Sequence, residues 1–363
     1  MTHGSPTRPA RLISALTLIA IAGCSSHDHI VPTPLPPRTF FMGFSSIPPR
    51  FDSTLVVPVI QMWAKRADAG LILNEPPWDY LLAGGDAALA VRTQTLPLAQ
   101  FYRSLGLHVI VSVDPTNGLD RSADSAPLVA AGRSLTEPAV RAVYRNYVTA
   151  MDTIVRPEYL GLASETNLVR AIAPAALYQA EVMAADSAAQ VVRALDPTVK
   201  LFTTVQVEVA WGRLTGGGVF QGVAQDRTDF PYIQALGLSS YPYLAGFADP
   251  DSLPLDYYSR LTSGAAIPEM VIEGGWSSVS FGNVVSSPDK QRRYITKQMA
   301  LLDQAQAIGL FQITFTDLDL SAFPPPTNTQ LVPFAYNGLV DAALHAKPAL
   351  SSWDVAFLRP YRP

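Results

Sequence analysis

Acidic residues follow several apolar segments of this sequence, and their chemistry would be proton transfer and nucleophilic attack. Hydrolysis of a glycosidic bond with retained configuration needs two carboxyls about 5–5.5 Å apart, one as nucleophile and one as general acid and base. Candidates at or just beyond the ends of apolar segments are Glu75, Asp114, Glu165, Glu208, Glu273, Asp317 and Asp319. Residue type alone therefore predicts acid–base chemistry but does not select the pair that performs it.

The elements that must position these carboxyls are short apolar runs that alternate with longer amphipathic segments. Eight strands are predicted, at 40–46, 69–75, 108–115, 159–165, 199–206, 233–242, 269–276 and 310–319. Helices are predicted over 53–68, 86–105, 136–155 with Thr136 as cap, 174–195, 253–264, 287–309 ending at Gly309, and 345–358. This alternation predicts an α/β fold, a single-domain (β/α)8 TIM barrel over residues 39–363, whose functional residues lie at the carboxyl ends of the strands. The alternative is a doubly wound open sheet, but no G-x-G-x-x-G motif opens an early helix.

Three of the segments resemble those of clan A glycoside hydrolases. "YLGLASETN" resembles the fourth strand of that clan, "LGLSSYPYL" the sixth and "MVIEGGWSS" the seventh, while "NGLVDAALHAKPALSSWD" is similar to its closing segment. The resemblance implies that Glu165 is the acid/base, that Glu273 is the nucleophile, and that Tyr241 orients Glu273 by a hydrogen bond. The phrase around Tyr241 is closest to that of the arabinogalactan endo-β-1,4-galactanases.

The sequence departs from the clan pattern at two positions. Ser164 stands where the clan has an asparagine that grips the sugar 2-hydroxyl, so either Asn167 takes over that contact or the contact is lost. Ser240 replaces the first tyrosine of the galactanase phrase, which weakens the expectation of galactan specificity.

The spacing of the glutamates agrees with this assignment. Glu165 and Glu273 are 108 positions apart, which fits three β/α units of about 30–40 residues each. The Asn-Glu-Pro at Glu75 falls on the second strand and only looks like an acid/base motif. Glu75 could bind a sugar hydroxyl beside Trp78 and Tyr80, or could belong to an ordinary surface loop.

The expected mechanism follows from the environment of the two carboxyls. Glu273 is expected to stay ionised and attack the anomeric carbon. Burial and the neighbouring negative charge are expected to raise the pKa of Glu165, which would protonate the leaving oxygen and then activate water.

Further candidates for substrate binding lie on or after strand ends. Aromatic faces there could stack on sugar rings, and Asp317 could bond a hydroxyl. The aromatic candidates are Trp78, Trp211, Tyr241, Tyr243 and Trp276. No metal site, catalytic triad or cofactor is predicted, because His108 and His345 stand apart from other candidate ligands. A net charge of −4 without a basic stripe gives no reason to expect a nucleic-acid partner.

The N-terminal segment reads as a targeting sequence. Arg8 and Arg11 precede an apolar stretch, 12–23, that is too short to span a membrane, and "IAGC" resembles a bacterial lipobox. We therefore expect a signal peptide over 1–23, a lipid on Cys24, and a proline-rich tether over 24–38. A plain secretory signal is the alternative. Cys24 is the only cysteine, which excludes disulfides within the chain.

Together these features predict a lipid-anchored retaining glycoside hydrolase of the bacterial cell envelope, at the outer membrane or cell surface, acting on an extracellular polysaccharide or oligosaccharide. The alternative is a surface glycan-binding barrel that has lost catalysis, which the serine at 164 favours. A metal-dependent barrel hydrolase would need several histidine and aspartate ligands at strand ends, and the five histidines are placed wrongly for it.

Overall fold

Eight parallel strands close into a barrel in the computed structural model, which describes residues 1–4 and 35–363. Each strand pairs with the next along the chain, and the eighth pairs with the first. The strands are β1 (Phe41–Ser45), β2 (Ala69–Asn74), β3 (His108–Val113), β4 (Tyr159–Gly161), β5 (Lys200–Gln206), β6 (Ala235–Ser240), β7 (Glu269–Gly274) and β8 (Gly309–Gln312). This is the predicted (β/α)8 barrel, and the fold prediction is confirmed.

Helices connect the strands on the outside of the barrel. They are α1 (Ser53–Trp63), α2 (Trp78–Leu82), α3 (Ala87–Gln94), α4 (Leu96–Ser104), α5 (Ala126–Ala130), α6 (Pro138–Val155), α7 (Thr166–Ile172), α8 (Ala175–Leu195), α9 (Val207–Ala210), α10 (Ala224–Asp229), α11 (Pro288–Ala305), α12 (Thr327–Gln330) and α13 (Pro348–Phe357). Short 3₁₀ turns occupy Ala64–Arg66, Pro242–Ala245, Pro250–Ser252 and Leu320–Ala322.

Several predicted helix boundaries are wrong for local reasons. The helix predicted over 86–105 is broken at Thr95, because Pro97 has no amide hydrogen to continue the first helix. The helix predicted to end at Gly309 ends at Ala305, and Gly309 begins β8. Glu137, not Thr136, is the cap of α6. The segment 253–264 forms turns instead of the predicted helix.

Two strands are shorter than predicted, and this changes where the candidate carboxyls lie. The fourth strand ends at Gly161, so Glu165 lies beyond the strand and caps α7. The eighth ends at Gln312, so Asp317 and Asp319 lie in the following loop. Glu273 lies within β7, as predicted.

Aromatic rings and glycines fill the barrel interior together. Phe41, Phe202 and Phe311 belong to one buried cluster. A Cβ atom at Gly309 would lie 2.5 Å from the ring of Phe41, and one at Gly43 would lie 2.5 Å from the ring of Phe311. The glycines therefore provide the volume that the rings occupy. The larger buried cluster packs the outer face of the strands against the helices.

The pairing of β6 with β7 contains a shift that matters for the site. Leu238 pairs with Val271, but the next residue, Ser239, pairs with Glu273, so the register skips Ile272. An extra residue in one strand re-aims the side chains that follow it. Here it brings Glu273 opposite Ser239.

Residues 35–363 form one compact unit. The predicted signal peptide, the lipidation site at Cys24 and most of the predicted tether lie outside the described residues. None of the described helices is long and apolar enough to cross a membrane.

Candidate active site

Two glutamates meet at the mouth of the barrel through one serine hydroxyl. Ser239 Oγ lies 2.6 Å from Glu165 Oε1 and 2.7 Å from Glu273 Oε1. The two carboxylate oxygens are therefore at most the sum of these distances apart, about 5.3 Å. Both glutamates line the same cleft.

The contacts of Ser239 limit how protons can be distributed over its hydroxyl and the two carboxyls. A hydroxyl has one hydrogen, so Ser239 can donate to only one of the two carboxylates. The second contact is a hydrogen bond only if a carboxyl carries a proton and donates it to Ser239 Oγ. The arrangement therefore fits one proton shared by the two glutamates.

Arg121 binds one of the two glutamates directly. Its Nε donates to Glu165 Oε2 at 2.9 Å, and its Nη1 donates to Asp114 and to Thr116 Oγ1. The guanidinium is buried, with 7% of the residue exposed. A buried positive charge therefore lies against the carboxyl pair.

The surroundings of Glu273 raise its affinity for a proton. Burial, followed by the charge of Glu165, raises the pKa of Glu273 to about 7, against the opposing effects of the Ser239 hydrogen bond and of Arg121. Glu273 is therefore only partly ionised near neutral pH in the free protein, and the expectation that it attacks in the ionised form while Glu165 holds the proton stays a prediction. No sequence pattern predicted the contact of Arg121 with Glu165.

The backbone at Glu165 is held in an uncommon conformation. Its φ of 50° and ψ of 42° are left-handed, which costs a non-glycine residue about 1–3 kcal/mol. Its amide donates to Thr204 Oγ1 at 2.7 Å, and its carbonyl accepts from Leu168 and Val169 in the first turn of α7. The fold thus stabilises a strained residue whose side chain reaches the cleft.

The cleft above the glutamates has a volume of about 580 Å³. That is within the usual range for small-molecule sites, roughly 300–1,000 Å³. Its floor includes Arg121, Gln206 and Thr314, and its walls are largely aliphatic and aromatic.

Tyr241 lines the cleft but does not orient Glu273 as predicted. Its hydroxyl is buried and has no hydrogen-bond partner. The hydrogen-bond partner of Glu273 is the Ser239 hydroxyl instead. Burial and the nearby charge of Glu273 raise the pKa of Tyr241 above its usual value. The phenol therefore remains a neutral donor that faces the site.

Asn167, the residue expected to take over from the missing asparagine, does not face the cleft. It is buried and bonds the backbone of Gln206 in both directions, at 2.9 Å from Nδ2 to the carbonyl and 2.8 Å from the amide to Oδ1. Ser164 is buried beside Glu165 and does not line the cleft either. Asn167 thus ties α7 to the end of β5, which favours the alternative that the sugar contact is lost.

Three of the remaining aromatic candidates pack inside the protein. Trp78 is fully buried and stacks on Tyr144, and Trp276 donates from Nε1 to Ser286 Oγ at 3.0 Å. The buried Tyr243 hydroxyl donates to Pro333 O at 2.8 Å. The predicted role of these three as stacking surfaces for sugar rings is therefore wrong. Trp211 is half-buried, stacks on Tyr257 outside the cleft and donates to its carbonyl.

The other acidic candidates serve local structure. Glu75 is exposed, accepts from Ser125 Oγ and does not line the cleft. Asp317 pairs with Lys347 at 2.7 Å, and burial raises its pKa to about 6. Asp114 caps its own turn at Thr116 and holds Arg121. Glu208 is fully buried and accepts from Gln206, Ser240 and Tyr257 side chains and the Tyr241 amide.

Metal-ligating side chains do not gather in groups of three or more anywhere in the described residues. His108 lies at the start of β3 and contacts Glu158, while His345 contacts Asp341 in the last loop.

Two residues that complete the site, Arg121 and Ser239, were missed by sequence reasoning. Ser239 belongs to the quoted phrase on the sixth strand, where only the tyrosine drew attention. The position of Ser239 near the carboxyl end of a predicted barrel strand could have identified it as a candidate site residue. Arg121 lies in an irregular loop whose course no periodicity reveals.

The fold of the chain is similar to that of several solved structures. An exo-β-1,4-mannosidase, Op5Man5 from Opitutaceae bacterium strain TAV5, matches with a TM-score of 0.67 and 16% identity over 88% of this chain and 59% of that one. A GH53 catalytic domain from Ignisphaera aggregans matches with a TM-score of 0.59 and 15% identity over 91% of this chain and 99% of that one. A β-glucuronidase from an uncultured Clostridium species matches with a TM-score of 0.56 and 14% identity over 88% of this chain and 50% of that one.

The chain spans about half to three fifths of the length of the mannosidase and the glucuronidase. No protein-family model matches the chain, and no curated protein matches its sequence significantly. At these identities the similarity establishes a barrel fold shared with glycoside hydrolases.

Proposed function

We propose that this chain is a retaining glycoside hydrolase that cleaves O-glycosidic bonds by double displacement. The observation that carries the proposal is the pair of cleft-lining carboxyls, whose bridged oxygens are at most about 5.3 Å apart. That separation suits a retaining pair, since inverting pairs are about 6.5–9.5 Å apart to admit a water molecule. The shared fold with glycoside hydrolases supports the same reading.

In this proposal Glu165 is the acid/base and Glu273 the nucleophile, as the resemblance in strand order implies. Attack requires the shared proton on Glu165 and an ionised Glu273, so a proton that resides on Glu273 must move first. Ser239 offers the path: its own hydrogen passes to Glu165 while it receives the proton of Glu273. This transfer leaves Glu273 ionised and Glu165 protonated with no net change in charge.

The two chemical steps then follow. Glu273 attacks the anomeric carbon as Glu165 gives its proton to the leaving oxygen, which breaks the glycosidic bond and forms a glycosyl ester. Glu165, now ionised, takes a proton from water, whose oxygen displaces Glu273. Arg121 holds the Glu165 carboxyl in place through its Nε contact at 2.9 Å. The Tyr241 hydroxyl is free to donate to a substrate oxygen.

A glycan-binding barrel without catalysis has less support. Such a module needs exposed aromatic faces, and the three tryptophans expected to supply them are buried or lie outside the cleft. A buried carboxyl with a raised pKa, such as Glu273, is costly to keep in a site that only binds.

The lipobox resemblance at 21–24 supports a second part of the proposal, that Cys24 carries a lipid that anchors the protein in the bacterial cell envelope. Labelled palmitate supplied to expressing cells should enter the wild-type protein. The same label in Cys24→Ser would contradict the anchor without affecting the catalytic proposal.

The catalytic proposal is tested by hydrolysis of a panel of aryl β-glycosides, oligosaccharides and polysaccharides by the full chain. We expect Glu165→Gln and Glu273→Gln to lose activity by at least about a thousandfold on unactivated substrates, and the first-formed product to keep the substrate's anomeric configuration. Glu269→Gln, a buried glutamate at the other end of β7, is the matched control and should remain active. No activity on any substrate, or inverted products, would overturn the proposal.

A further inference from the structure

The cleft is far less polar than a site for two linked sugars requires. Away from the carboxyl pair its walls are formed mainly by aliphatic and phenyl side chains, among them Ile47, Phe51, Leu168, Leu244, Leu331 and Phe334. Arg50, Asp120 and Thr327 are polar exceptions in this part of the lining. Sugar hydroxyls need hydrogen-bond partners when they leave water, and an apolar wall offers none. None of the five tryptophans lines this cleft.

A few buried polar atoms in the described part of the cleft lack a hydrogen-bond partner. Two buried hydroxyls that line the cleft, Tyr241 Oη and Thr314 Oγ1, have no hydrogen-bond partner. Both hydroxyls belong to residues of the same cleft as the carboxyl pair. Together with the carboxyls, these hydroxyls provide donors and acceptors for one sugar ring at the point of cleavage.

The apolar surface continues outward from this polar point. Leu119 and Ile172 line the cleft with 44% and 45% of their surface exposed, and Phe51 is 80% exposed. Large apolar side chains at the rim of a pocket mark a surface that an apolar ligand covers. The apolar region is continuous with the site of bond cleavage, so its occupant is part of the substrate.

We propose that the substrate is a glycoside of an apolar alcohol, with one sugar at the carboxyl pair and a long aliphatic leaving group along the apolar walls. This inference rests on the proposed function, and it narrows the substrate from oligosaccharides to glycolipid-like molecules. It also accounts for the missing stacking surfaces, since an alkyl chain packs on leucine and phenylalanine as well as on tryptophan.

The test compares methyl, butyl, hexyl and octyl β-glycosides of the sugar that the aryl panel favours, each below its micelle concentration. Burial of each methylene should raise kcat/KM roughly two- to fourfold until the cleft is filled. A disaccharide with the same sugar at its non-reducing end should be the poorer substrate. Equal rates along the series, or a preferred disaccharide, would overturn the inference.

A binding measurement distinguishes failure of this inference from failure of the catalytic proposal. Titration of octyl and methyl glycosides of several sugars into Glu273→Gln, followed by calorimetry, should show at least tenfold tighter binding of the octyl compound. If the wild-type protein hydrolyses nothing but this difference is present, the function fails and the apolar site stands. If hydrolysis occurs and the difference is absent, only the apolar site fails.

Two substitutions in the cleft wall complete the test. Leu119→Ser and Ile172→Ser should reduce the octyl-to-methyl ratio of kcat/KM several-fold. Leu195→Ser is the matched control, because Leu195 is 57% exposed and lies outside this cleft. An unchanged ratio in both wall variants, or an equal fall in the control, would contradict the proposed location.

Discussion

Arg121 contributes a buried positive charge to the carboxyl pair. It contacts Glu165 and Asp114 directly, and its positive charge also lowers the affinity of Glu273 for a proton. Two carboxyls this close cannot both ionise easily, so the pair titrates as a unit. The protonation of the site is therefore a property of three side chains from three different loops and strands.

Replacing Arg121 should shift the pH dependence of catalysis. The alkaline limb of kcat/KM reports loss of the shared proton, which the raised pKa of Glu273 puts at about 7 in the wild-type protein. Arg121→Gln removes a charge that opposes protonation, so this limb should move to higher pH. Arg121→Lys keeps the charge and should leave the limb near its wild-type position. An unmoved limb in the glutamine variant would show that Arg121 does not act on the pair.

Glutamine at position 273 should stabilise the protein while it removes activity. Because the folded-state pKa of Glu273 is raised from 4.5 to about 7, stability present below pH 4.5 is lost as the pH rises through about 7. At pH 8 the unfolding free energy of Glu273→Gln should therefore exceed that of the wild type by on the order of 2 kcal/mol, and its melting temperature should be higher. At pH 4.5 the two proteins should differ little in stability.

Glu269→Gln provides the comparison, because burial also raises the pKa of Glu269 to about 7. It should gain similar stability at pH 8 and keep its activity. If only Glu269→Gln is stabilised, the burial cost assigned to Glu273 is wrong.

At the scale of elements, the sequence predicted the eight strands and missed the details that bring the carboxyls together. Periodicity indicated that Glu165 and Glu273 follow the fourth and seventh apolar runs, and the resemblance to clan A glycoside hydrolases selected these two as the pair. The one-residue register shift at Ser239 and the left-handed turn at Glu165 depend on neighbouring strands, so no local pattern predicts them. The tryptophans failed as predictions because alternation does not distinguish an outer face packed under a helix from the barrel mouth.

The close packing of glycine against phenylalanine inside the barrel can be tested by substituting the glycine. Gly43→Ala would put a Cβ 2.5 Å from the Phe311 ring and against the carbonyl of Ala69, so it should destabilise the protein by about 1–3 kcal/mol. Gly118→Ala meets no atom within 4 Å, so its unfolding free energy should change by less than about 1 kcal/mol. Chemical denaturation measures both. A Gly43→Ala variant as stable as Gly118→Ala would contradict the described interior packing.

For the whole molecule, buried acids should set the pH of greatest stability. Burial raises the pKa of Asp152 and Asp317 to about 6 and that of Glu269 and Glu273 to about 7. For each group the folded-state pKa exceeds the unfolded value, so its stabilising contribution disappears as the pH rises through 6 to 7. The melting temperature of the wild-type protein should be higher near pH 5 than at pH 8. A steady rise from pH 5 to pH 8 would contradict these assignments.

The most direct test of the central claim is chemical rescue of Glu273→Ala by azide with an aryl β-glycoside as substrate. Without its nucleophile the variant should be inactive, and azide should restore turnover and yield the α-glycosyl azide, of inverted configuration. Glu165→Ala with azide should instead yield the β-glycosyl azide, because the covalent intermediate still forms. If Glu273→Ala retains wild-type hydrolysis, the two-glutamate account is wrong. If Glu273→Ala gives the β-azide and Glu165→Ala the α-azide, the roles of the two glutamates are reversed.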